Sequence, residues 1–144
     1  MLRLICSICV YEIDKDRYAI ISPDFDVVSE GKTLTEATDK ITAEISKKAY
    51  LLYVQNKSLP KTLANDIDLD KEFSKIYGTL YYEEGSVSML VTEISIAEME
   101  RSVKKNLSIP KWLDELAREK DINFSQTLQE ALKKILLGND DLGQ

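Results

Sequence analysis

Lys104, Asn106 and Ser108 fall two residues apart in SVKKNLSIP, the spacing that puts three side chains on one face of a β-strand. A lysine donates to guanine O6 and N7, an asparagine pairs bidentately with adenine N6 and N7, and a serine adapts to either. Together they suit the reading of base edges in the major groove, which is wide enough for a two-stranded ribbon. The same pattern also fits an edge strand dressed with polar residues to stay soluble. Lys105 lies in the opposite phase near the strand start, where its long side chain can reach a phosphate. A second anion site is available at Phe124 and Ser125, whose N–H groups open a helix at its positive dipole end. There the alternative is an ordinary cap, satisfied by Asn123 and water.

Position depends on the elements around these residues. Val103, Lys105, Leu107 and Ile109 form the other face of the predicted strand. Pro110 ends it and suits the first turn of a helix, where a missing N–H costs nothing. That helix carries Trp112, Leu113, Leu116 and Ala117 on one side and charges on the other. Trp112 reads as packing, with base stacking as the alternative. Asp121 and Ile122 break the pattern. Asn123, with Gln126 three residues on, then caps a second helix whose apolar stripe is Leu128, Ala131, Leu132, Ile135 and Leu136, up to Gly138. Strand, helix, helix in under forty residues cannot stand alone, because the strand has no ladder and the helices leave an apolar face wet. The economical solution is a twofold homodimer whose strands pair antiparallel and whose four helices share one core. Whether dimers go on to form tetramers stays open.

This unit resembles a ribbon-helix-helix DNA-binding domain, and KKNLSIPKWL with INFSQTLQEAL resembles the version at the C-terminus of HicB-type antitoxins. The resemblance implies operator double-stranded DNA as a partner. It also implies that the start of the second helix, at Phe124 and Ser125, clamps a phosphate on each side of the ribbon.

Composition bounds the rest. The 144 residues carry a net charge of −6, unevenly spread: residues 1–100 hold 11 Lys/Arg and 18 Asp/Glu, residues 101–144 hold 8 and 7. A DNA-binding protein with an acidic body implies a local basic ribbon, and the acidic part should meet something else. Histidine is absent, which removes Ser-His-Asp and Cys-His pairs and the commonest general base. Cys6 and Cys9, three apart on a strand, face opposite sides, so they neither share a metal nor close easily into a disulfide. Buried thiols in a reducing cytosol are expected, with no metal and no cofactor. No apolar run is long enough for a bilayer, and MLRLICSICVYEI reads as a strand, not a signal peptide, so a cytoplasmic protein without membrane contact is expected.

The first hundred residues predict strands at Leu2–Ile13, Tyr18–Ser22 and Val27–Ser29. A helix follows, capped by Thr33 and Glu36, with Leu34, Ala37, Ile41, Ile45, Ala49 and Leu52 on one face. Asn56 to Lys61 ends that helix. Residues 62–85 read as a variable connector, in which Asp68 to Ile76 has the length of a short helix but many charges, and Thr79 to Tyr82 is extended. Ser86 to Glu93 reads as a strand with Val87, Met89 and Val91 alternating, and Ile94 to Arg101 as a helical turn. One amphipathic helix laid on such a sheet is an α+β layer. YAIISPDFDVVSEGKTLTEATDKITAEI resembles the N-terminal half of HicB antitoxins, a truncated ribonuclease-H-like fold. The expected architecture is therefore a ribonuclease-H-like β-β-β-α-β domain over residues 1–95 and a dimerising ribbon-helix-helix over 96–144.

Asp24, Asp26, Glu30 and Glu36 raise the question of metal-dependent nuclease chemistry, which needs converging carboxylates. Their crowded loop spacing does not require convergence, and the resemblance implies that family members lack that active site, so no enzyme is expected. The resemblance further implies pairing with a HicA-like toxin, a small RNA-cleaving protein. A protein that grips RNA presents positive charge, which an acidic partner can cover. Tyr18, Ser22, Pro23, Asp24 and Phe25, on a strand edge and its following loop, are the candidate toxin contacts, with Tyr18 and Phe25 as core residues the alternative. The function expected is a type II antitoxin that neutralises its toxin and represses its own operon. The rival is a ligand-sensing repressor with a small-molecule site in its N-terminal half.

Overall fold

The computed structural model describes residues 1–61 and 64–138. The chain divides into two compact units, Met1–Arg101 and Ser102 onward. In the first, β1 (Leu2–Asp14), β2 (Arg17–Ser22), β3 (Val27–Gly31) and β4 (Glu84–Ile94) form one antiparallel sheet in the order β3-β2-β1-β4. β1 is long enough to pair with β4 from Leu2 to Glu12, and with β2 from Cys9 onward.

One face of this sheet is covered by α1 (Leu34–Val54). Its start is fixed as the sequence predicts: Thr33 Oγ1 accepts the Glu36 N–H at 3.1 Å. The Glu36 carboxylate reaches back to the N–H of Lys32 at 3.0 Å, one residue earlier than in a standard box. Ala37, Ile41, Ile45 and Ala49 are buried against Leu4, Cys6, Ile8 and Ile20. Each such large aliphatic removed from water stabilises the fold by roughly 1.5–3 kcal/mol. Leu34 instead stays 46% exposed, and Tyr50 takes a place in the core that the helical spacing did not assign to it.

The opposite face carries a second core, which departs from the expectation of a connector. α2 (Leu69–Tyr77) is a formed helix, capped by Asp68, whose carboxylate accepts the Lys71 N–H at 3.2 Å. Its charges lie along the outer side, while Leu69, Phe73 and Tyr77, spaced four apart, meet the sheet. Phe73 sits among aromatic rings: 4.9 Å from Tyr11, 4.7 Å from Tyr77 and 4.7 Å from Tyr82. Tyr11, the largest fully buried side chain, donates its hydroxyl to the Leu69 carbonyl at 2.7 Å. Gly85 lies inside β4 and does not break it, since it pairs opposite Tyr11 in the ladder; a Cβ there would stand 2.9 Å from the Tyr82 ring, which suits the position to glycine. Thr79 to Tyr82 forms a turn and irregular chain where an extended segment was expected.

β4 also corrects a phase. The sequence alternation picked Val87, Met89 and Val91, yet Leu90 and Ile94 are the buried residues, opposite Cys6 and Leu2. Met89 and Val91 lie on the other face, 58% and 54% exposed. The buried phase also carries Ser86, Ser88 and Thr92, so period two favoured the other face, and it is the pairing of β4 with β1 that turns Leu90 and Ile94 inward. α3 (Ile96–Met99) follows, capped by Ser95. Ile96 packs on the first core and Tyr50 donates to Glu100, so residues 96–101 belong with the first unit.

In the second unit residues 101–110 form neither helix nor strand in the single chain, since a strand exists only with a ladder partner. α4 (Lys111–Glu119) and α5 (Phe124–Leu137) follow, with Pro110 as the residue preceding the first helix. Asp121 takes a left-handed conformation, φ 53°, to turn the chain between them. Among the described residues no helix is long and apolar enough to cross a membrane.

Candidate functional site

The predicted base-reading residues Lys104, Asn106 and Ser108 are all exposed. Lys105, Leu107 and Ile109, in the opposite phase, line a groove of about 550 Å³ together with Phe124, Leu128 and Ala131 of α5. Both sets are exposed, and no strand ladder orders the segment in the single chain. Asn123 Oδ1 accepts the Gln126 N–H at 3.0 Å, which satisfies one of the open donors of α5. Phe124 and Ser125 begin the helix and border the same groove as Lys105.

No residue of this unit is buried among those described. Trp112 is 63% exposed, Leu116 49%, Ile135 78% and Leu136 75%. Both helices thus leave their apolar stripes in water. Against water such a face is unfavourable by about 25 cal/mol per Å², a cost that contact with another apolar surface relieves.

In the first unit the candidate toxin contacts separate by burial. Ser22 is fully buried, and its hydroxyl accepts the Phe25 N–H at 3.2 Å. Phe25 is in the α1-side core, and its carbonyl accepts from Lys48 at 2.9 Å. Neither side chain reaches the surface. Tyr18 packs partly against the same core, while Pro23 and Asp24 are partly exposed at the turn.

The four carboxylates considered for metal chemistry do not gather. Glu30 accepts from Arg17 at 2.7 Å and from the Tyr77 hydroxyl at 2.7 Å, tying α2 to the β2–β3 hairpin. The hydrogen bond from Arg17, then that from Tyr77, holds its carboxyl below the ordinary range. Glu36 is held low by the Lys32 N–H and by Lys40. Asp26 is exposed, with φ 53°. Among the described residues no three His, Cys, Asp or Glu side chains converge on a metal site. Cys6 and Cys9 are free and buried on opposite faces of the sheet. Burial, and then the charge of Asp24, push the Cys6 thiol up to about 11.

Sequence reasoning missed the Arg17–Glu30–Tyr77 cluster, because Tyr77 lies in the stretch read as a connector. It also missed that the apolar alternation of β4 would lie exposed, where Met89 and Val91 form a strip with Ile5.

No family model matches the sequence, and no curated protein matches it. Among solved structures, a chain of a toxin–antitoxin complex from Streptococcus pneumoniae aligns over 92% of this chain and 99% of its own length, with 24% identity and a TM-score of 0.57. The antitoxin HicB of Burkholderia pseudomallei aligns over 94% and 99%, with 18% identity and a TM-score of 0.45. The first of these likenesses is one of fold: over nearly its whole length the chain is folded like a component of a toxin–antitoxin complex.

Proposed function

We propose that this protein is an antitoxin of a type II toxin–antitoxin pair. Its first unit would cover a small, basic, RNA-cleaving toxin, and its second would dimerise and bind operator DNA to repress its own operon. The observation that carries the reading is the second unit without a core. Its apolar helical faces and the groove beside Lys105, Leu107 and Ile109 call for a second copy of the same surface. Antiparallel pairing of two 103–109 segments then repeats Lys104, Asn106 and Ser108 about a twofold axis, on the side away from the shared core. Lys105 and the N–H groups of Phe124 and Ser125 would hold phosphate. The fold likeness over both units supports the same reading, as does the acidic balance of residues 1–100 against a basic partner.

The test is co-expression with the neighbouring small reading frame. Growth arrest by that neighbour alone, relieved by this chain, supports the reading; a harmless neighbour that does not co-purify overturns it. For the DNA half, Asn106→Ala is expected to lose about 1–3 kcal/mol of operator binding and to relax one base position. Linking a toxin-binding unit to a DNA-binding unit also makes repression respond to the toxin-to-antitoxin ratio. Operator affinity that does not move on toxin titration would remove that coupling.

A further inference from the structure

β2 runs beside β1 only from Cys9 onward, so the first half of β1 is bordered on that side by other parts of the chain. A groove of about 590 Å³ opens there. Its walls are largely apolar, with Leu4 and Cys6 of β1, Leu59 and Pro60 beyond α1, and Met89 of β4, and the exposed Arg3 and Lys61 line it too. Asp24 also lines it, and both carboxylate oxygens are shut off from solvent with no hydrogen-bond partner among the described residues. Burying a carboxylate without a donor is among the most unfavourable arrangements a fold can hold. Such groups persist chiefly where a function uses them.

We propose that this groove seats a cationic side chain, an arginine or lysine of the partner protein, with its charge on Asp24. The proposal rests on the toxin-binding reading above and gives it a contact chemistry. A largely apolar slot whose one acidic lining residue is Asp24 fits a long aliphatic stem that carries charge at its tip. The acid surplus of residues 1–100 favours a basic protein as its source. Since the oxygens are covered in the free chain, seating the cation entails a rotamer change at Asp24.

The test uses the full chain and the basic protein that co-purifies with it. Affinity is measured for wild type, for Asp24→Asn, and for Asp39→Asn, which removes the same charge from an exposed site on α1. Asp24→Asn is expected to bind about 30-fold or more weaker, with no loss of melting temperature in the free chain. Asp39→Asn should change affinity less than about threefold. One partner cation, replaced by alanine, should cost as much against wild type and little more against Asp24→Asn. Leu59→Lys, which supplies a cation from within, guards against a folding defect at position 24; it should block the partner too. Full-strength binding by both variants, or no partner cation coupled to Asp24, overturns the proposal and leaves toxin binding standing. A melting temperature raised by agmatine in wild type but not in Asp24→Asn, with partner affinity unmoved, makes the groove a small-molecule site and also overturns it. If wild type binds no basic protein, the toxin-binding reading fails and takes this one with it.

Discussion

Phe73→Ala tests whether α2 is a structural cover or a loosely attached connector. Phe73 is 2% exposed and packs against Tyr11, Tyr77 and Tyr82, at ring separations of 4.7 to 4.9 Å. Truncating a buried phenylalanine to alanine costs about 3–5 kcal/mol, the sum of lost transfer energy and the cavity left behind. A value near the upper end is expected here, because three rings lose a partner at once and cannot all collapse into the space. With total stabilities of about 5–15 kcal/mol, such a loss should bring the first unit close to unfolding. The assay is urea denaturation followed separately in each unit. All seven tyrosines precede Ser102, so near-ultraviolet tyrosine signals report the first unit, and the single tryptophan, Trp112, reports the second. The tyrosine transition should move sharply to lower urea. A loss below about 1 kcal/mol would refute the reasoning, because exposed and mobile side chains give values of that size.

Glu30→Gln should flatten the acid side of the stability profile. The Glu30 carboxyl is held below its ordinary value of 4.5 by Arg17 and Tyr77, so its contribution is present above that pH and is lost as pH falls through the lowered folded value; acid titrations of both proteins by circular dichroism check this. Cys6 and Cys9 should resist a thiol reagent at pH 8 in the native chain and react together on unfolding, since burial raises both thiols; one fast-reacting thiol would contradict the opposed cores. Trp112 emission should shift to the blue with rising protein concentration as the second unit finds its copy, and Leu116→Glu should abolish the shift. Lys105→Ala should lower the salt dependence of operator binding by about one phosphate contact if its side chain reaches the backbone.

Much of this protein is written in local pattern. The Thr33 cap and the Ala37, Ile41, Ile45, Ala49 stripe specify α1, and Pro110, Asn123 and Gly138 bound the last two helices, because caps and periodicity act over a few residues of chain. The opposed placement of Cys6 and Cys9 follows from strand geometry alone. Tertiary structure had to decide whatever depended on distant partners. β4 alternates most clearly through Val87, Met89 and Val91, and only its register with β1 turned Leu90 inward and left Met89 out. The Leu69, Phe73, Tyr77 stripe of α2 is short and set among charges; Tyr11, far earlier in the chain, gives it the sheet face that completes a core. Asp24 looks like any turn aspartate in the sequence, and only the fold closes around its carboxylate and leaves it without a donor. Local chemistry dictates elements, but which faces meet is settled by contacts between residues that the sequence places far apart.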